Sequence, residues 1–341
     1  MTQVAELALR QTEKKHLLEI TKSFKKAHIL VVGDFILDQF VWGQVGRISP
    51  EAPVPVVQVQ RESYMPGGSL NVANNIRALG GTVYPCGVVG RDLAGRMLVK
   101  VMRREGIDTG GVIYDRMRPT SLKTRVIAHS QQVVRFDREK TDEITPADRK
   151  KLLRFLAQRI ALVDVVIIED YGKGVIQPAL LKQIVKLARQ HRKVIIVDPK
   201  DRHFSYYRGV TVLTPNRSEA HAAVENGAIH SNHRQRTVTQ IGRMLLRKVG
   251  CKAVLMTLGE DGMALFERGG SITKIPTMAR EVFDVSGAGD TVAAVFGLAL
   301  ASGANMREAA VLANMAAGIV VGKLGTAVVH LEELGDAIRN R

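Results

Sequence analysis

Cysteine is nearly absent. Cys86 and Cys251 are the only two in 341 residues. Both lie in apolar, strand-like stretches far apart, which reads as two buried thiols and excludes a disulfide framework or a cysteine-based metal site. A reducing cytoplasm is the compartment this scarcity fits. Aromatic residues are also few, at 5% with a single tryptophan, so the stacking platforms of single-stranded nucleic-acid binders are missing. No uninterrupted apolar run nears the roughly 18 residues of a membrane span, and no membrane partner is expected. The stretch Met1 to Lys26 is polar and lysine-rich. Without an apolar core and a cleavage site it reads as a helical extension over 1–27 and not as a secretory signal.

Acidic residues are outnumbered, 33 Asp+Glu against 49 Lys+Arg, for a formal net charge of +16. The excess is spread along the chain, with no helix-turn-helix or zinc knuckle beside it. It points to anionic small substrates and solubility, and away from a specific nucleic-acid partner. Two familiar nucleotide loops are missing as well. There is no Gly-x-x-x-x-Gly-Lys-Ser/Thr, which argues against a P-loop kinase. No Gly-x-Gly-x-x-Gly follows the first strand, which argues against a dinucleotide-binding dehydrogenase.

What is present is an α/β pattern. The first strong strand is His28 to Gly33, ending at Asp34 and Asp38. A helix opens after Pro66-Gly67-Gly68 and runs through Leu79, followed by a strand at Val83 to Val89 and a helix at Leu93 to Glu105. From about residue 145, helices alternate with near-continuous apolar strands at Val163–Ile168, Lys193–Val197, Val210–Leu213 and Ala253–Thr257. Such runs indicate a buried, mostly parallel sheet. Short alternating runs between Val112 and Asp137, with Val54 to Val59, predict a small separate sheet. In a doubly wound sheet, ligands collect beyond the carboxyl ends of the strands. Asp34, Asp38, Glu169, Asp170, Asp198, Asn216, Glu219 and Gly259 all fall there.

The most chemically loaded stretch is Asp284-Val285-Ser286-Gly287-Ala288-Gly289-Asp290-Thr291, leading into an apolar helix. A helix N-terminus offers unpaired amides and a positive dipole end to an anion, and glycines let the backbone approach it. A carboxylate aimed at the same spot should repel a phosphate. It fits if Asp290 takes a proton from an attacking hydroxyl while the amides hold the phosphoryl group in transfer. Taken alone, the same residues also describe a capped helix.

Gly67-Gly68-Ser69-Leu70-Asn71 and Asp284 to Thr291 resemble the two signatures of the ribokinase-like (PfkB) carbohydrate kinases. Between them, Asn216-Arg217-Ser218-Glu219 resembles the family's Asn-x-x-Glu, and Thr257-Leu258-Gly259-Glu260-Asp261-Gly262 its nucleotide loop. Within the family, Arg47 to Val57, Lys123-Thr124-Arg125, Val197-Asp198-Pro199-Lys200 and Leu213 to Asn216 are similar to the bacterial D-glycero-β-D-manno-heptose-7-phosphate kinases. Ser69-Leu70, where alanines are usual, departs from that pattern. The resemblance implies a ribokinase-like doubly wound, mostly parallel α/β sheet flanked by helices. It implies one kinase domain over 28–341, with lid strands from about 41–60 and 112–138. The kinase is often fused to an adenylyltransferase in that group; with Arg341 last, the kinase alone is expected here.

By the resemblance, Asp290 is the general base, and Gly287, Ala288 and Gly289 form the anion hole. Asp38, Gly67, Gly68, Asn71, Asp170, Lys173, Lys200 and Arg125 bind the sugar phosphate. Asn216, Arg217, Ser218, Glu219, Thr257, Gly259 and Gly262 serve ATP, with Mg2+ held through water by Asn216 and Glu219. Asp284 and the Ser286 carbonyl offer a place for a monovalent cation such as K+. The implied reaction phosphorylates the anomeric hydroxyl of the heptose 7-phosphate to the 1,7-bisphosphate, for ADP-heptose and lipopolysaccharide core synthesis. A homodimer through the lid is implied too. The alternatives are a kinase for another sugar or sugar phosphate, and a non-catalytic sugar- or nucleic-acid-binding protein.

Overall fold

Strand β1 (His28–Gly33) is apolar on both faces, as a strand covered on both sides must be. Ile29 and Val31 enter one core, Leu30 and Val32 the other. In the computed structural model, residues 9–129, 131–225, 236–279 and 281–341 are described. A helix, α1 (Gln11–Ser23), precedes β1 and packs Leu17 and Ile20 into the first core; residues 1–8 of the expected extension lie outside the described residues.

The chain then runs through β2 (Phe35–Ile48), β3 (Pro55–Gly68), α2 (Ser69–Ala78), β4 (Thr82–Gly90), α3 (Leu93–Arg104), β5 (Gly111–Asp115), β6 (Ser121–Ala128) and β7 (Gln131–Arg138). The second half continues with α4 (Pro146–Arg159), β8 (Val165–Glu169), α5 (Pro178–Gln190), β9 (Val194–Asp198), β10 (Val212–Leu213), α6 (Arg217–Glu225) and α7 (Val238–Val249). It closes with β11 (Ala253–Thr257), β12 (Met263–Glu267), β13 (Ile272–Ile275), α8 (Ala288–Ala301), α9 (Met306–Val320) and α10 (Leu331–Arg339).

Nine strands form the main sheet in the order β13-β12-β11-β10-β9-β8-β1-β4-β5. The pairs from β11 across to β5 are parallel, and β12 and β13 add antiparallel to that edge. The chain leaves β1 toward β4 and β5, then returns to lay β8 on the other side of β1. That reversal is the switch point where a crevice opens beyond the strand ends. One face carries α1, α2, α8, α9 and α10, the other α4, α5, α6 and α7. Helix α8 lies against the sheet with ten buried residues. Gly297 permits the close approach, since a Cβ there would sit 2.8 Å from Ile167 Cδ1.

The second sheet has four strands in the order β3-β2-β6-β7. It grows out of the main body because β2 continues from β1 after only Asp34, and β3 leads straight into α2. Its outer strand β7 is exposed at every residue described. The sequence pattern placed residues from 112 onward in this lid. In the structure, β5 instead pairs with β4 at the edge of the main sheet, and the lid takes only β6 and β7 from that stretch. The short run Val112–Tyr114 carries too little alternation to tell a covered edge strand from a lid strand.

Candidate active site

Helix α8 begins at Gly287, whose φ of +79° is a left-handed conformation that suits glycine. A Cβ there would also lie 2.5 Å from Asn71 Nδ2. The turn carries Asp290 into the crevice, where it is buried. Its Oδ2 accepts from Asn71 Nδ2 at 2.7 Å, and its Oδ1 accepts from the Tyr171 hydroxyl at 2.5 Å. Burial pushes the Asp290 carboxyl up to about 6, against the lowering effect of those two donors. Tyr171 is itself pushed well above its ordinary value by burial and by Asp290, so it stays protonated and donates. At the helix head, the Ala288 amide turns back to the Val285 carbonyl at 3.2 Å. The Gly287 and Gly289 amides donate to no protein acceptor among the described residues. Of the three expected anion-hole positions, these two present free N–H groups.

The side expected to take the sugar is built by β2 and the β3–α2 junction. Asp38, buried on β2, pairs with Arg125 on β6. A Cβ on Gly67 would fall 1.9 Å from Asp38 Oδ2, so only glycine lets this carboxylate sit against the backbone. Gly68 takes φ +58° and caps α2, and Asn71 follows in its first turn. Lys123, two residues from Arg125 on the same strand, lies 5.5 Å from the centre of the Tyr171 ring. Burial lowers its pKa, with Lys173 and Arg125 adding to the effect and Asp38 opposing it. Lys123 forms no ion pair among the described residues. Lys173 pairs with Glu139 at 2.5 Å. Lys200 is half-exposed beside Asp201, its ammonium 3.8 Å from the carboxylate.

Asp170, expected beside the sugar, is bonded within its own surroundings. Its Oδ1 accepts from the Gly172 amide at 2.9 Å, and its Oδ2 meets the Tyr207 hydroxyl and His203 Nδ1, each at 2.7 Å. With both oxygens engaged, it clamps its own loop. Asp34 does the same from β1: it accepts from the amides of Tyr171, Lys173 and Val175 at 3.0, 3.0 and 3.1 Å. Burial and the nearby Asp170 push its pKa up to about 6 in spite of these bonds. Together the two acids hold the 171–175 loop so that the Tyr171 hydroxyl reaches Asp290. Sequence reasoning placed Asp34 only among the polar groups beyond the strand ends and gave Tyr171 no role.

Thr257, Gly259, Gly262, Ala288 and Gly289 line one cavity of about 440 Å3, together with Val292 and Asn314. Asn216 bridges to Thr257 at its rim. Asn216 and Glu219 cap each other: the Glu219 amide donates to Asn216 Oδ1, and the Asn216 amide to Glu219 Oε2, both at 2.9 Å. Arg217 pairs with Asp261 across the nucleotide loop, and Ser218 is exposed on the first turn of α6. Asp284 accepts from the Ser286 amide at 2.9 Å and the Gly325 amide at 3.0 Å. Burial works against its ionisation, but these amides and the charge of Arg125 hold its pKa below the usual value. The two bonds tie the loop before α8 to the segment after α9.

One further group lies between the two halves. Glu169, at the end of β8, is fully buried, and neither carboxylate oxygen has a hydrogen-bond partner. Oxygens of Glu169, Asp198 and Asp290 lie within 4.8 Å of one another. Burial first, then Asp198 and Asp290, push Glu169 well above the ordinary carboxylate range; burial and Glu219 do the same to Asp198. Hard, convergent carboxylate oxygens, those of Glu169 without any donor, suit Mg2+ or Mn2+, so the residues present fit a divalent ion.

A doubly wound sheet with a β lid, an Asp at a glycine-rich helix head and a nucleotide-sized cavity beside it defines a sugar-kinase arrangement. The sequence profile of the pfkB family carbohydrate kinases matches residues 26–333, and the chain belongs to that family. It is an ATP-dependent carbohydrate kinase, and the family implies ATP and Mg2+. Among curated proteins, the bifunctional protein HldE of Geobacter sulfurreducens is 46% identical over 322 residues, covering 94% of this chain and 65% of the relative. HldE of Helicobacter pylori strain J99 is 44% identical over 307 residues, covering 90% and 65%. The chain thus spans just under two thirds of the relatives it matches. Among solved structures, Arabidopsis thaliana ribokinase complexed with ribose and ATP superposes with a TM-score of 0.71 at 20% identity, covering 92% of this chain and 99% of that one. Escherichia coli phosphofructokinase-2 in complex with potassium gives 0.74 at 17%, covering 92% and 98%. At such identities the likeness is one of fold. No described helix is long and apolar enough to cross a membrane.

Proposed function

We propose that the protein transfers the γ-phosphoryl group of ATP to the anomeric hydroxyl of D-glycero-β-D-manno-heptose 7-phosphate, giving the 1,7-bisphosphate for ADP-heptose synthesis. The observation that carries this reading is the 46% identity to a bifunctional HldE over 94% of the chain. Asp290 accepts the proton of the attacking hydroxyl, held by Asn71 and exchanging its Tyr171 contact for that hydroxyl. The free amides of Gly287 and Gly289, at the positive end of α8, face the phosphoryl oxygens. Mg2+ supplies charge neutralisation on the phosphates. Asp38, Gly67 and Gly68 bind and orient sugar hydroxyls, while Thr257, Gly259 and Gly262 shape the ATP cavity. Closure of the lid over the crevice excludes water.

The 7-phosphate requires cations. Lys123 and Lys173 converge near Asp38 and Arg125, and Lys123 is the member with no carboxylate of its own. We assign the phosphate to these two lysines, with Arg125 fixing Asp38. Lys200, on the surface with Asp201, is left outside this group. The Asp284 and Ser286 loop is the proposed monovalent-cation position, and the exposed lid edge the proposed homodimer contact. Two free buried thiols fit work in a reducing cytoplasm. The test is ADP release with ATP, Mg2+ and a panel of sugars and sugar phosphates, in Na+ and in K+. Heptose 7-phosphate is expected to give the highest kcat/KM. No turnover of it, with brisk turnover of another sugar, overturns the assignment and leaves a kinase of different substrate.

A further inference from the structure

Both carboxylate oxygens of Asp290 are taken, and the two donors are held in different ways. Asn71, in the first turn of α2, is fully buried and fixed by Asn75 one turn further on. Asn75 Nδ2 donates to the Asn71 carbonyl at 3.0 Å and to Asn71 Oδ1 at 3.4 Å. Asn75 Oδ1 in turn accepts from the Val329 amide at 3.3 Å and the Thr291 hydroxyl at 3.4 Å. A side chain fastened at so many points stays on Asp290.

Tyr171 is fastened by its backbone and not by its ring. It stands in the loop after β8 and is only partly buried. Asp34 holds the amides of Tyr171 and Lys173, which leaves rotation about the Tyr171 Cα–Cβ bond as the way its hydroxyl can leave. Among the described residues that hydroxyl has one partner, Asp290 Oδ1. Lys123, reaching in from β6, braces the ring through a cation–π contact. A sugar hydroxyl that attacks a phosphoryl group must also give an O–H bond to Asp290. With Oδ2 kept by Asn71, the acceptor left for it is Oδ1. The phenol hydroxyl of Tyr171 therefore stands where the hydroxyl of the substrate must stand.

We propose that Tyr171 is a substrate-mimicking stopper, a specificity-determining residue that selects a bound sugar over water as the phosphoryl acceptor. Without sugar, its hydroxyl fills the acceptor position on Asp290 and keeps water out of it. The reaction it suppresses is hydrolysis of ATP. There a water would pass its proton to Asp290 while its oxygen bonds to the γ-phosphorus; the bond from that phosphorus to the β–γ bridging oxygen breaks, and its electron pair leaves with ADP. A sugar displaces the tyrosine because its other groups anchor it in the crevice, and a lone water has no such anchorage. The stopper rests on the reading of Asp290 as the base. It does not depend on which sugar is accepted.

The test is ADP release by the full chain with ATP and Mg2+ and no sugar. Y171F is expected to hydrolyse ATP at least about tenfold faster than the wild type, a part of the roughly hundred- to ten-thousandfold that a positioned base contributes. Y171A, which also removes the ring, should be at least as fast. The double variant Y171F/D290N should lose the gain. With a sugar phosphate that the wild type turns over, Y171F should keep kcat within about twofold, because the Tyr171 contact is already broken when the sugar reacts. Its KM for that sugar should fall about three- to tenfold, since no stoppered state competes with binding, and it should release more ADP than sugar product. A tyrosine that only supports the fold would lower kcat or stability and leave sugar-free hydrolysis at the wild-type rate. That result in both Y171F and Y171A overturns the stopper, as does a gain in hydrolysis that survives D290N. Sugar phosphorylation undiminished in D290N alone would overturn Asp290 as the base, and the stopper with it. Turnover of a sugar other than heptose 7-phosphate, with the gain in Y171F present, would overturn only the substrate assignment.

Discussion

At the scale of single residues, the decisive balance is the one acting on Asp290. Burial raises its pKa to about 6, while Asn71 and Tyr171 pull the other way. A general base works in its ionised form, so protonation removes activity as pH falls through the folded pKa. We expect kcat/KM to be level above about pH 7 and to fall about tenfold per unit below about pH 6, as a single ionisation requires, measured by initial rates across a constant-ionic-strength buffer series. Asp290→Asn should lose at least about a hundredfold in kcat while still binding ATP in a calorimetric titration. Lys123 is the second residue to test. A charge-assisted hydrogen bond is worth about 1.5–3 kcal/mol, so Lys123→Met should raise KM for the sugar phosphate about ten- to a hundredfold and leave KM for ATP unchanged. An unchanged sugar KM would place the phosphate elsewhere. Asp290 and its glycines were legible in sequence because their chemistry is local, packed into eight consecutive residues. Tyr171 was not legible. Its contact with Asp290 spans 119 positions and exists only because Asp34, 137 positions earlier, holds the amide of Tyr171.

Elements set how precisely those residues meet. Helix α8 carries Asp290, the proposed base, at one end and packs flush on β8 and β9 along its length, with Gly297 over Ile167 and Ile196. A larger residue at Gly297 must lift the helix, and overpacking of this kind costs about 1–3 kcal/mol. Gly297→Val is therefore expected to lower the midpoint of urea unfolding by that amount. It should also lower kcat more than either KM, because the base moves while the binding loops do not. A variant with lowered stability and unchanged kcat would mean that α8 tilts about its own head without disturbing Asp290. The central strands and both small-residue helices were readable because continuous apolar runs admit few alternatives in a sheet covered on both faces. Edges were harder. Strand β5 looked like lid, β13 is a four-residue edge strand of mixed polarity, and α10 follows the last motif with only a short amphipathic pattern. Each is decided by its neighbours in space and not by its own sequence. The same holds for the Asn216–Glu219 pair, where a capping box and a phosphate-binding motif use identical residues.

For the whole molecule, the question is what the lid does when it is not over the crevice. Its sheet is joined to the body through β2 and β3 and ends in β7, an edge strand exposed along its length. Val134 and Phe136, two residues apart and so on one face of β7, are 48% and 56% exposed, and Ile48 and Val59 on the same sheet are 61% and 51% exposed. An open edge with apolar side chains invites pairing with another chain, and a second copy offers the same edge by symmetry. The proposed homodimer through the lid would cover this surface. It also bears on catalysis, because Asp38 and Lys123, the proposed sugar contacts, stand on β2 and β6 of the same sheet. Sedimentation velocity at micromolar concentration is expected to show a dimer for the wild type. The double variant Val134→Glu/Phe136→Glu should sediment as a folded monomer with the wild-type circular dichroism spectrum. If the partner steadies the lid, this monomer should show a raised KM for the sugar phosphate and an unaltered KM for ATP, whose cavity lies on the main body. A wild type that sediments as a monomer would remove the lid contact, and the exposed face of β7 would then need another explanation. A monomeric variant with unaltered kinetics would keep the dimer and deny it any part in holding the sugar.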